Sequence, residues 1–139
     1  MSLRARVLVV LMCGLLLAAM GLYAYRQIGE TRAKITVTRM MELYHFLEYK
    51  QPRVLGDENL QRLLVGTKLY PSHLKDAWGN RFQIKVEPDA SGQPHYTIRS
   101  YGADHRRGDC CSGFVYHRDW DADAVLKDGR WLQVWAEVP

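Results

Sequence analysis

The chain has 139 residues and a formal charge of +4, with nineteen lysines and arginines set among fifteen carboxylates. That length suits one ordinary domain once a terminal segment is set aside, and does not favour a two-domain reading. The basic residues are scattered rather than gathered into a run, so nucleic acid is not indicated as a partner.

Arg4 and Arg6 precede an uncharged apolar run, VLVVLMCGLLLAAMGLYAY, from Val7 to Tyr25. Its length is close to the ~20 residues that a helix needs to cross a bilayer. The sequence therefore predicts a transmembrane anchor over 1–25 and a domain over 26–139. The flanking arginines favour a cytoplasmic N-terminus, which puts the domain on the far side of the membrane. A cleaved signal peptide is the competing reading, because Ala19 and Gly21 offer small residues at cleavage spacing. Tyr23 and Tyr25, suited to the membrane interface, favour the retained anchor.

Beyond the anchor no proline occurs before Pro52, so one helix is expected to run on to about Lys50, with Gly29 its weak point. Val37, Met40, Tyr44 and Leu47 recur at helical spacing, and Met41 and Leu43 widen the stripe. This face reads as a seam against the rest of the domain. The alternative, a dimerising coiled coil, wants a longer heptad repeat.

QPRVLG then breaks the helix. Asp57 opens a short second helix in which Leu60, Leu63 and Leu64 share a face before Gly66. From Phe82 the period changes to two: Phe82, Ile84 and Val86, then Tyr96 and Ile98 beyond a turn rich in Pro, Asp, Ser and Gly, form an antiparallel hairpin. Gly113 to His117 and Arg130 to Val138 read as further short strands, separated by an aspartate-rich loop. The expected architecture is α+β, one long helix covering a small antiparallel sheet.

The loop contains DWDADAVLKDG, with Asp119, Asp121 and Asp123 at alternate positions and Asp128 beyond them. Such a knot of like charge suits a bound cation, basic neighbours or plain exposure to water. An EF-hand is a poor fit, since Ala124 stands where its glycine belongs and Arg130 where its bidentate glutamate belongs. Cys110 and Cys111, adjacent in sequence, can close a strained disulfide, stay free or pair with another chain. Neighbouring cysteines converge poorly on a zinc centre with His105 and His117. The five histidines, His45, His73, His95, His105 and His117, fall in no triad or metal-ligand spacing, and the chain does not read as an enzyme.

Three ordered segments resemble the type IV pilin-like proteins, and within them the major pseudopilins of type II secretion (general secretion pathway protein G). LKDAWGNRFQI, Leu74 to Ile84, is similar to the family's DPWGNPYQY, with Asp76, Trp78, Gly79, Asn80 and Gln83 in step. YTIRSYGAD, Tyr96 to Asp104, is similar to a strand ending YSLGADG, with Ser100, Gly102, Ala103 and Asp104 aligned. Asp121 to Asp123 resembles the DADI that closes the next loop. The match spans roughly Glu30 to Asp123. Taken on residues alone, Trp78 seals the boundary of helix and sheet, Gly79 and Asn80 make a tight turn, and Gly102 supplies backbone freedom where strand becomes loop.

The resemblance implies a pilin-like fold on a single-pass anchor in a bacterial inner membrane, with the domain in the periplasm. It implies a calcium ion in the loop from Asp104 to about Ala124. Asp121 and Asp123 carry over as ligands, and Asp119 and Asp104 are candidates. Calcium takes about six to eight oxygens from carboxylates, carbonyls and water, which alternating aspartates on a loop can supply. The implied function is a structural subunit that packs with other pseudopilin subunits, copies of itself or inner-membrane secretion components into a short fibre for protein export. Two departures favour a non-polymerising membrane-anchored adaptor instead. Arg6 runs directly into VLVVLMCG, without a glycine-ended leader and FTLIE-like start. No glutamate precedes Glu30, whereas the family's early glutamate helps to register incoming subunits.

Overall fold

The computed structural model describes residues 3–52, 57–65, 67, 69, 71–108, 115–117 and 119–135. Met1–Thr31 and Arg32–Pro139 form two compact units. The first is helical and apolar, with Val9, Leu16 and Leu22 at 50, 59 and 72% exposure. It belongs to a helix, α1 (Leu3–Lys50), that is long and apolar enough to cross a membrane. So much exposed apolar surface is costly in water and costs nothing among lipid tails.

In the second unit α1 ends where the absence of proline predicts. Gln51 takes a left-handed conformation, φ 47°, while its N–H still donates to the Leu47 carbonyl at 2.8 Å, and Pro52 follows. The buried seam is Ala33, Thr36, Val37, Met40, Leu43 and Leu47, with Met41 and Tyr44 packed on its margin. Leu43 rather than Tyr44 thus takes the central place, one position round from the expected stripe. In α2 (Asp57–Leu64), Leu60 and Leu64 are buried and Leu63 is half-buried. The expected stop at Gly66 lies outside the described residues.

Five strands follow: β1 (Gln83–Pro88), β2 (Pro94–Ser100), β3 (Val115–His117), β4 (Ala124–Lys127) and β5 (Arg130–Trp135). Their order across the sheet is β1-β2-β4-β5-β3. The four strands β1, β2, β4 and β5 are antiparallel, and β3 runs parallel to β5 at the edge. The chain is an α+β protein, as expected, but two features differ from expectation. The segment Ala124–Lys127, read as loop, is the central strand, and Ala124, Val125 and Leu126 are all buried. The edge strand is parallel to its neighbour: from β2 the chain reaches β3 beyond the positions of β4 and β5 and then returns to the middle. Residues 113–114 and 136–138 of the expected strands lie outside the described residues.

Helix and sheet share one core. Ala33, Met40, Leu43 and Leu47 from α1 join Tyr96, Ile98, Leu126, Val134 and Trp135 from the sheet. Each fully buried Leu, Ile or Met contributes roughly 1.5–3 kcal/mol relative to exposure. The hairpin between β4 and β5 turns on Asp128 and Gly129, both at positive φ (48° and 73°), as a two-residue turn of this hand requires. A Cβ on Gly129 would stand 3.0 Å from Tyr44 Cε1, so this turn sits tightly under α1.

Candidate functional site

The three sequence segments, well separated along the chain, meet at one end of the sheet. Asp76 is 2% exposed and its carboxylate accepts four hydrogen bonds. Oδ1 receives the N–H groups of Trp78 (3.0 Å) and Asn80 (2.8 Å), while Oδ2 receives Asn80 Nδ2 (2.8 Å) and the Ser100 hydroxyl (2.8 Å). Gly79, at φ 96°, allows the turn to fold back so that one side chain can reach both N–H groups. Asn80 Nδ2 also donates to the Gly102 carbonyl at 2.8 Å, which ties this turn to the second segment.

The helix joins the same hub. Thr36 Oγ1, on the buried face of α1, accepts the Ala77 N–H at 2.9 Å, and Arg39 Nη1 donates to the Lys75 carbonyl at 3.0 Å and the Asp76 carbonyl at 3.3 Å. Here a turn that would otherwise leave buried polar groups unpaired finds a partner for each.

The third segment closes over Gly102. The Ala103 N–H donates to the Trp120 carbonyl at 2.7 Å. A Cβ on Gly102 would lie 2.5 Å from that carbonyl oxygen and 2.6 Å from the Ala122 oxygen, and Gly102 itself is at φ 72°. Trp135, fully buried, donates its indole N–H to the Ala122 carbonyl at 3.1 Å. Its ring lies between those of Trp78 (centroids 5.2 Å apart) and Trp120 (6.5 Å). Trp78 thus packs against a tryptophan from the last strand.

The four aspartates expected to hold calcium have different partners. Asp104 Oδ1 accepts the Arg106 N–H at 2.8 Å, and Asp119 Oδ1 accepts the Asp121 N–H at 3.1 Å, so both fasten turns. Asp121 is exposed, and partial burial together with the charges of Asp119 and Asp104 raises its carboxyl above the ordinary range. Asp123 is fully buried as a side chain and bonds to Arg99: Oδ2 lies 3.1 Å from Arg99 Nη1, while Oδ1 accepts the Gly108 N–H at 3.1 Å. Burial, with the charge of Asp104, holds the Asp123 carboxyl above its ordinary range, although the Gly108 N–H and the Arg99 guanidinium pull against it. Among the described residues no three His, Cys, Asp or Glu side chains are grouped to hold a metal ion. Cys110 and Cys111 lie outside the described residues.

Asp128, the fourth aspartate of the stretch, belongs to another cluster. Its Oδ1 accepts the Tyr96 N–H at 2.9 Å and its Oδ2 lies 2.9 Å from His95 Nδ1, while His95 Nε2 is 3.6 Å from Asp89. Hydrogen bonding to Asp128, with its charge and that of Asp89, raises the imidazole above its usual range. This histidine joins the turns of two hairpins. The residues that sequence reasoning missed are Arg99, Gly108, Thr36 and the pair Trp120 and Trp135. Of these only Arg99 carried a signal, as a charge inside an apolar strand beside an acidic loop.

A search of protein-family models, curated proteins and solved structures finds no match to this chain. Fold and site together define an α+β domain on a long N-terminal helix, with a buried polar hub that ties helix, turn and sheet together.

Proposed function

We propose that the protein is a pseudopilin-like structural subunit of a type II secretion or related pilus-like machine, anchored by α1 in a bacterial inner membrane with its domain in the periplasm. The observation that carries this reading is the joining of the DAWGN, YGAD and DAD segments around Asp76 and Gly102, where the Ala122 carbonyl closes on Gly102. Those are the segments on which the pilin-like resemblance rests, and here they brace helix, sheet and loop against one another. The exposed apolar face of Val7–Tyr25 supports both membrane insertion and lateral packing of like helices. Arg4 and Arg6 support the cytoplasmic placing of the N-terminus.

One observation favours a second reading, a membrane-anchored adaptor that does not polymerise. The apolar stretch Val7–Tyr25 contains no carboxylate to register one helix against the next. In-membrane crosslinking of the full chain through cysteines placed on α1 separates the two. A ladder of homo-oligomers supports the fibre subunit. A single heterologous product supports the adaptor, and monomer alone overturns the fibre reading.

A further inference from the structure

A dication in the loop between β2 and β4 would have one task, to neutralise buried carboxylate charge and hold distant stretches of chain together. In this chain a side chain already does so. Arg99 Nη1 lies 3.1 Å from Asp123 Oδ2 and 3.2 Å from the Gly108 carbonyl, and the Gly108 N–H closes the triangle on Asp123 Oδ1 at 3.1 Å. Arg99 is 12% exposed and Asp123 0% as side chains, so the pair is shielded from water. The approach is close, because a Cβ on Gly108 would lie 3.4 Å from Asp123 Oδ1.

Strand register puts the guanidinium there. Arg99 pairs with Gln83 on one side and Val125 on the other, while Asp123 directly precedes the β4 partner of Ser100. An open groove on this part of the sheet is lined by Lys85, Arg99, Arg107 and Lys127, with one carboxylate, Glu87, among them. A dication seated at Asp123 would therefore face a permanent guanidinium in direct contact and the cations Lys85, Arg107 and Lys127 along the groove, against the nearby carboxylates of Asp104 and Glu87.

We propose that Arg99 is the chain's built-in substitute for a bound cation: it pins Gly108 and Asp123 to β2, and their placement is independent of calcium. The inference does not depend on whether the protein forms a fibre or acts as an adaptor.

The test is thermal unfolding of the full chain in detergent micelles, in excess calcium and in chelator, with tryptic cleavage after Arg106 and Arg107 as a local readout. The wild-type midpoints are expected to coincide. Arg99→Gln is expected to lower the midpoint by roughly 5–15 °C and to speed cleavage at Arg106 and Arg107 at least about tenfold, equally with and without calcium. Arg99→Lys should recover part of both, as a charge without the planar fork. A wild-type midpoint that rises in calcium, as it must if the ion binds the folded state alone, would overturn the proposal. So would an Arg99→Gln protein that unfolds and is cut like the wild type. If Arg99→Gln does not fold, the calcium comparison on the wild type and the Arg99→Lys cleavage rate still decide the matter.

Discussion

Asp76 and Ser100, twenty-four positions apart, share a buried 2.8 Å hydrogen bond that couples the turn after a short 3₁₀ helix (Pro71–Leu74) to the end of β2. Asp76→Ala would remove the acceptor of the Ser100 hydroxyl, of one Asn80 amide N–H and of two backbone N–H groups in one step. The expected loss is about 2–4 kcal/mol, since unpaired buried donors cost more than the bonds themselves contribute. Chemical denaturation of the full chain in micelles checks it. Ser100→Ala removes one of these donors and leaves Asp76 the other three, while the Gly102 N–H loses its 3.3 Å contact with the Ser100 hydroxyl oxygen, and should cost about 1 kcal/mol.

Gly102 separates two kinds of glycine cost. Gly92, in the β1–β2 turn, has a positive φ of 81° and nothing within 4 Å of an added Cβ, whereas Gly102 combines φ 72° with a carbonyl oxygen 2.5 Å from that Cβ. Gly92→Ala should cost about 1 kcal/mol, the strain of a left-handed alanine. Gly102→Ala should cost at least about 3 kcal/mol, because the backbone of Trp120 and Ala122 must move as well. Equal losses in paired denaturation curves would show that the close approach is not under strain.

The seam of α1 gives a third test. Met40 is fully buried and Tyr49 is 81% exposed on the same helix. Met40→Ala is expected to destabilise by about 2–4 kcal/mol through lost contact and residual cavity, and Tyr49→Ala by less than about 0.5 kcal/mol. The same denaturation measurement reads both. Similar values would mean that the helix does not bury this face.

Much of this fold was legible in the residues. The helix could be followed to Lys50 because nothing interrupts it, and the first hairpin because Ile84, Val86, Tyr96 and Ile98 alternate around a turn of good turn formers. Strand β4 escaped notice because Ala124, Val125 and Leu126 are all buried, so no alternation marks them, and because aspartates flank them on both sides. Asp128-Gly129 did carry a hairpin signal, hidden by the like charges before it. The parallel edge strand and the pairing of Arg99 with Asp123 depend on which strands become neighbours. Composition and spacing do not encode that choice locally. The aspartates looked alike in sequence and differ in the fold, since Asp123 is buried against a cation, Asp104 and Asp119 fasten turns, and Asp128 closes a hairpin.

The His95 cluster makes stability depend on pH with a definite sign. Asp128 and then Asp89 raise the folded-state pKa of His95 above its usual value of 6.5. The folded chain therefore holds this proton more tightly than the unfolded one, and its contribution is fully present below about pH 6.5 and is lost as pH rises through the folded value. Other groups titrate too, so the informative quantity is the difference between wild type and His95→Gln. Melting midpoints taken between about pH 5.5 and 8.5 should show the wild type losing its advantage over the variant as pH rises. A difference that stays constant across that window, or grows with pH, would show that the imidazolium does not bridge the two turns. Asp128→Asn, which removes the stronger of the two partners, should flatten the same difference while costing the fold its link to the Tyr96 N–H only in part, because the amide oxygen can still accept that bond.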